Sequence, residues 1–352
     1  MHPIIYRKRA RRAYCAAVLF AALLLRLAGA PPQTTALLRS FRSAAVRLPA
    51  AGAVLFLEAG IRLPERGTEE SDAKPPHTAP PTEQTQPETT RPPEPTEEMT
   101  EPQLQQLSFT AQEAEAISFR GNCTYTVDKQ ALLDAPLSWK TPAEGPQVLI
   151  IHSHTSESYT PSEGYEYEAS GDYRTLDSAR NVVAVGDVLA KTLEDAGIGV
   201  IHDTTCHDYP SYNSSYANSR RTIEQQLAAH PTIVMVIDIH RDAAEEVFRE
   251  TAEVEGKTAA KLMLVIGTDE GGLSHPFWRE NLSCGLKLQA LANRRYPRLF
   301  KSLALRASRF NQDETPASLI VEVGSTGNTL PEALTAAEYL GNVIAELLHS
   351  NQ

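Results

Sequence analysis

Four apolar runs limit what this chain can fold into: "QVLII" (147–151), "TIVMVIDIH" (232–240), "KLMLVIG" (261–267) and "SLIVEVG" (318–324). None alternates strictly between apolar and polar residues. A strand that is apolar on both faces must be covered on both faces, which is the situation in a parallel sheet flanked by helices. The segments between the runs have helical spacing: "SARNVVAVGDVLAKTLEDAG" (178–197), with Asp177 or Ser178 as cap and Gly197 as stop, "SRRTIEQQLAAH" (219–230), "FWRENLSCGLKLQALANRRY" (277–296) and "LPEALTAAEYLGNVIAELLHS" (330–350). "GVIHD" (199–203) adds a strand. The alternation predicts an α/β domain over 104–352, with its core at 146–350 and a mostly parallel sheet with helices on both faces. Residues 104–145 read as an irregular lead-in with one short strand at "CTYTVD" (123–128).

The first hundred residues are of another kind. "YRKRARR" (6–12) precedes the apolar "AYCAAVLFAALLLRLAGA" (13–30). Positive charge followed by an apolar run is the layout of a signal peptide or an inside-anchored helix. Residues 1–30 are read as a single-pass membrane anchor, although "LAGA" also resembles a cleavage site. On either reading the C-terminal part lies outside the cytoplasm. Residues 31–63 form a juxtamembrane segment. Residues 64–103 are rich in Pro, Thr and Glu and cannot build a core, so they are expected to be a disordered linker.

Charge follows the same division. Residues 1–63 carry ten Lys/Arg and one Glu, or +9; residues 64–102 carry ten acidic and three basic residues, or −7. The whole chain is −11, which leaves −13 for the remainder. An acidic folded part argues against nucleic acid, whose phosphates it would repel. The four cysteines show no CxxC spacing, so neither a disulfide framework nor a cysteine metal site is expected.

The chemistry gathers at strand ends. The first run leads into His152, Ser153, His154, Thr155, Ser156 and Glu157; the "VIDIH" strand ends in Asp238, His240, Arg241 and Asp242; the late strand carries Glu322. Ligands of an open α/β sheet bind outside the carboxyl ends of its strands, so these positions can converge. Two imidazoles and one carboxylate with an open position form a catalytic zinc set. His154 and Glu157, spaced H-x-x-E, fall on one side of a turn, and His240 is the third candidate. Glu322, in a strand that should be buried, is then the candidate base for water that the metal acidifies. His152 is an alternative ligand to His154, and Asp177 an alternative carboxylate to Glu157. Arg241 could anchor a substrate carboxylate or pair with Asp238, Asp242 or Glu322. His202 and His207 are read as site rim. Taken singly, each residue has a plainer explanation, such as a satisfied interior histidine; their joint placement favours a metal site. No nucleophile elbow, phosphate-binding loop or dinucleotide fingerprint occurs.

At these residues the chain resembles a known family. "VLIIHSHTSESYTP", "NVVAVGDVLAKTLEDAGIGVIHD", "DYPSYNSSYANSRRTIEQQL", "VIDIHRDA", "HPFWRENL" and "RFNQDETPASLIVEVGSTGNTLPEALTAAEYL" resemble, in content and order, the stage II sporulation protein P family of cell-wall hydrolases in endospore formers. That family is related to zinc-dependent N-acetylmuramoyl-L-alanine amidases. The resemblance implies an amidase- or zinc-carboxypeptidase-like α/β fold. It matches His154, His240 and Glu322 to the first histidine, second histidine and catalytic glutamate of those enzymes. It leaves Glu157 and Asp177 as the two possibilities for the remaining ligand. It implies cleavage of the bond between N-acetylmuramic acid and L-alanine in peptidoglycan, with an endopeptidase cut in the cross-links. The implied setting is the septum during engulfment, in a membrane complex with stage II sporulation proteins D and M.

Tyr159, Asn311 and Gln312 are candidate substrate contacts. Basic residues near "NRRY" (293–296) either offset the acidic domain against an anionic wall or end a solvated helix. Two further readings are a non-catalytic, membrane-tethered scaffold of a wall complex and a zinc carboxypeptidase acting on free peptides.

Overall fold

The computed structural model describes residues 107–352 apart from Glu246. The expected anchor (1–30), juxtamembrane segment (31–63) and linker (64–103) lie outside the described residues. Among the described residues nine strands form two sheets: β1 Phe119–Gly121, β2 Val148–Ile151, β3 Val200–His202, β4 Met235–Asp242, β5 Thr251–Val254, β6 Lys257–Ala260, β7 Leu262–Gly267, β8 Leu303–Arg306 and β9 Ser318–Ser325. The α-helices among the same residues are α1 Ala111–Ala116, α2 Lys129–Asp134, α3 Val182–Asp195, α4 Ser215–Ala229, α5 Trp278–Arg295 and α6 Leu330–His349. Among the described residues no helix is long and apolar enough to cross a membrane.

The main sheet has seven strands in the order β1-β8-β7-β9-β4-β2-β3, and β5 and β6 make a separate antiparallel hairpin. Every neighbouring pair in the main sheet is parallel except β7 with β9. The expected mostly parallel sheet is therefore present, with one reversal inside it. β2, β4 and β9 are adjacent, so the three strand ends singled out above lie side by side.

The apolar runs divide by parity. Ile150, Ile237, Ile239, Leu264, Ile266, Val321 and Val323 face a large core built with α3, α5 and α6. Leu149, Ile151 and Val236 face the other way, against Ile223 of α4. The two faces are covered unequally, and the thinner cover on the α4 side is where His240 and Glu322 emerge. Helix ends follow local chemistry. Asn181 caps α3 by accepting from Val183 N at 2.9 Å, while Asp177 caps only the short 3-10 turn Ser178–Arg180. Thr329 and Glu332 form a capping box at the start of α6, with a proline in its first turn.

The lead-in departs from expectation. It holds α1 and α2 as well as a strand, and the strand is Phe119–Gly121 rather than 123–128. Phe119 pairs with Leu303 of β8, so partner contact rather than β propensity fixes the position. Cys123, Cys206 and Cys284 are all free thiols.

Candidate metal centre

β2 delivers its residues through a tight turn. Thr155 Oγ1 donates to His152 O at 2.7 Å, and Glu157 N donates to His154 O at 3.1 Å. That turn turns the H-x-x-E spacing into a shared side: His154 Nδ1 lies 3.5 Å from Glu157 Oε1. From β4, His240 Nδ1 lies 3.3 Å from Glu157 Oε2. The rings of His154 and His240 meet edge to face, with centroids 5.0 Å apart. One donor atom from each of His154, Glu157 and His240 falls within 4.8 Å of the others. Two imidazole nitrogens and a carboxylate oxygen that converge this closely suit a divalent cation with nitrogen and oxygen ligands, zinc foremost.

β9 supplies the fourth group. Glu322 is the register partner of His240 in the parallel β4–β9 ladder, which shifts register between His240 and Asp242. Its Oε2 is buried and has no hydrogen-bond partner. Burial pushes the Glu322 carboxyl up to about 8, against the opposing charge of His240. Two residues on, Gly324 has φ +72°, and a Cβ there would lie 2.9 Å from Ala260 Cβ. A glycine is needed for the chain to leave β9 beside the site.

The donor set is held from outside. Backbone bridges set residues 156–158 against residues 173–175, with Arg174 directly opposite Glu157. Arg174 Nη2 donates to Glu157 Oε1 at 3.1 Å, and its Nη1 donates to Asp208 Oδ2 at 2.7 Å. Asp208 also accepts from Ser156 Oγ at 2.6 Å, which ties the turn to the segment after β3. Burial by itself would raise the Glu157 carboxyl, but hydrogen bonds and charge from His154 and His240 hold it well below the usual carboxylate range. Burial would likewise lower the His240 imidazole, yet Asp238 and Glu157 hold it well above its ordinary value. Tyr212 stacks on His154 at 4.7 Å, and Tyr216 meets it edge-on at 5.3 Å. Tyr212 is 49 % exposed, so the donor set opens to solvent past an aromatic rim.

Several expected site residues have other duties. His152 points away from the cluster, with its Nε2 2.8 Å from His202 Nε2 and its Nδ1 near Ile239 O. Burial and the neighbouring His202 lower its imidazole to about 3. His202 also meets Asp187 at 3.0 Å, and His207 is buried between His152 O and Thr222 Oγ1. Neither sits on the rim. Asp177 is bound to Ala179 N at the start of its 3-10 turn. Arg241 is buried; its Nε donates to Ser158 O at 2.9 Å, its Nη2 donates to Asp172 O at 2.7 Å, and its backbone N donates to Glu157 Oε2. These bonds make it a scaffold for the Glu157 loop, where the sequence offered either a substrate anchor or a structural partner for Asp238, Asp242 or Glu322.

Tyr159 is buried and donates to Val323 O, Asn311 donates to Tyr216 O, and Gln312 bridges Gly267 N and Val265 O. All three hold backbone in place of substrate. Arg294 and Arg295 are paired with Glu113 and Glu346. Arg174 and Asp208 were missed because neither lies in a periodic segment. The i, i+4 pair Tyr212 and Tyr216 was readable as a helix-start stripe.

Fold and donor set together define a class: an α/β protein in which two histidines and one carboxylate that could hold a metal ion meet at adjacent strand ends. The family model for stage II sporulation protein P matches residues 57–345. The chain belongs to the stage II sporulation protein P family, as its motifs imply. It is 30 % identical over 213 residues to stage II sporulation protein P of Bacillus subtilis (strain 168), an overlap of 57 % of this chain and 50 % of that protein. The chain thus spans about half the length of the curated relative it matches. Among solved structures it is similar to the CwlD amidase from Clostridioides difficile in complex with the GerS lipoprotein. That likeness has a TM-score of 0.36 and 13 % identity over 56 % of this chain and 94 % of that one. It is also similar to the N-acetylmuramoyl-L-alanine amidase AmiC2 of Nostoc punctiforme, with a TM-score of 0.33 and 13 % identity over 58 % and 96 % of the two chains.

Proposed function

We propose that this protein is a zinc-dependent peptidoglycan hydrolase of sporulation that cleaves the amide between N-acetylmuramic acid and L-alanine. The observation that carries this reading is the convergence of His154, Glu157 and His240, with the unpartnered carboxylate of Glu322 on the neighbouring strand. Those three residues would hold the cation. When bound, it supplies Lewis acidity for the scissile carbonyl and for the attacking water. Glu322 takes the proton of that water and returns it to the departing alanine amine. A carboxyl that burial has made a stronger base suits this task near neutral pH. Arg174 and Arg241 hold Glu157 in place, and the Tyr212 and Tyr216 rim gives the substrate a flat wall beside His154.

The same reading places the domain outside the cytoplasm, tethered by residues 1–30 and spaced by residues 64–103. Stage II sporulation proteins D and M are its proposed partners. The test uses the full chain, purified wall and metal analysis. One zinc per chain and release of stem peptides from the sugar support the reading. Cleavage that is undiminished in both His240→Ala and Glu322→Ala would overturn it. Release of free C-terminal amino acids alone points instead to a carboxypeptidase, and a folded chain with neither metal nor activity points to a scaffold.

A further inference from the structure

One buried carboxylate beside the donor set has no part in the reading above. Asp238 lies two residues before His240 on β4, so both side chains leave the same face of the strand. It is 6 % exposed. Asp238 Oδ1 accepts from Ser153 N at 2.8 Å and lies 3.0 Å from His240 Nε2. The second contact is short but bent, since His240 Nε2 does not meet hydrogen-bond geometry. Asp238 Oδ2 accepts from Ser153 Oγ at 2.6 Å. That hydroxyl is 2.7 Å from Ser219 Oγ, which also accepts from Asn311 Nδ2 at 3.0 Å. The β2 turn, α4 and the segment after β8 therefore fix this carboxylate jointly. On the far side of the ring, His240 Nδ1 faces Glu157 Oε2.

We infer that Asp238 is a positioning residue that selects which ring nitrogen His240 offers to the cation, keeping the proton on Nε2 and leaving Nδ1 as the ligand. This rests on the metal-site reading above. A neutral imidazole has one N–H and one lone pair. An ionised carboxylate only accepts, so beside Nε2 it favours the tautomer that carries hydrogen there. The lone pair of Nδ1 then points toward Glu157 and His154. A carboxylate behind a ligating histidine also fixes the ring plane and raises the basicity of the ligand nitrogen. Because Ser153 precedes His154, the same carboxylate ties the mounting of one imidazole to the orientation of the other.

The test is zinc binding by the full chain, followed by chelator competition and by nitrogen-15 NMR of the histidine rings in the zinc-loaded protein. The expected signature is zinc on His240 Nδ1 and hydrogen on Nε2. Asp238→Ala is expected to weaken zinc binding by about 10- to 100-fold. Ser153→Ala, which leaves Asp238 beside His240, is expected to weaken it less, and Asp238→Asn, which keeps the shape and drops the charge, falls between. Three results would each overturn the inference: zinc on His240 Nε2, unchanged affinity in folded Asp238→Ala, or equal losses in Ser153→Ala and Asp238→Ala. Should Asp238→Ala fail to fold, Asp238→Asn and the wild-type ring signature decide. A wild-type chain that takes up no zinc overturns the metal reading as well; zinc uptake with any of the three results above overturns this inference alone.

Discussion

His240 and Glu322 share one rung of the sheet: they are register partners on adjacent parallel strands, one within the donor set and the other with an unpartnered buried oxygen. Nothing in the fold requires a carboxylate at that rung. Its neighbours Ile320 and Met263 on the same face are apolar. A lone buried carboxyl costs stability, and the proposed role as base would account for it.

Glu322→Gln is therefore expected to separate chemistry from assembly. Wall cleavage should fall about 10²- to 10⁴-fold, the usual contribution of a positioned acid–base group. Zinc content should stay near that of the wild type, and the melting temperature should rise. Parallel activity, metal and calorimetry measurements check this; loss of zinc would make Glu322 a ligand instead.

The third ligand is decided by a pair of variants. Glu157 meets both histidines, while Asp177 is bound to Ala179 N. Glu157→Gln should lose most of the bound zinc and the cleavage with it. Asp177→Asn should keep both at almost no cost in stability, because an asparagine side-chain oxygen also accepts from Ala179 N. Metal stoichiometry on the purified variants reads this directly.

The metal-free chain should lose stability as pH rises through neutrality. The Glu322 carboxyl, ordinarily near 4.5, sits at about 8 in the fold. A raised acid favours the folded state while it is protonated. Its contribution is complete below about 4.5 and is lost as pH rises through about 8, a change on the order of a few kcal/mol. His152 works in the other direction. Its imidazole is lowered to about 3, so its contribution is complete above about 6.5 and is lost as pH falls toward 3. Thermal melts in chelator across both windows check the pair, and Glu322→Gln should flatten only the alkaline limb.

Gly186→Ala probes the paired imidazoles beneath α3. A Cβ there would lie 2.4 Å from His202 Nε2 and 2.8 Å from His152 Nε2. Splitting that pair should cost about 1–3 kcal/mol, the usual penalty of overpacking. Denaturant titration measures it. A stability equal to wild type would mean that the two rings have room to move aside.

Much of the centre was legible because it lies on long strands. β2, β4, β7 and β9 each stand out as an apolar run, and the carboxyl-end rule places His154, His240 and Glu322 together before any coordinates. What escaped was short or distant. β8 is four residues long and β1 three, below the length at which periodicity speaks. β7, which runs against β9, follows the β5–β6 hairpin, whose alternation is too brief to read. Arg174 reaches Glu157 through a backbone bridge from an aperiodic loop, which no local pattern encodes. Tyr159, Asn311 and Gln312 looked like substrate contacts because they are polar-tipped and near the motifs. In the fold their polar atoms complete backbone hydrogen bonds instead.

The reversal of β7 has a practical outcome. β7 runs against β9, so its carboxyl end opens on the edge of the sheet opposite the donor set. The segment that follows, 268–274, carries two adjacent glycines and the exposed Leu273. A fluorescent reporter or affinity tag grafted there would lie away from the edge that carries His154, Glu157 and His240.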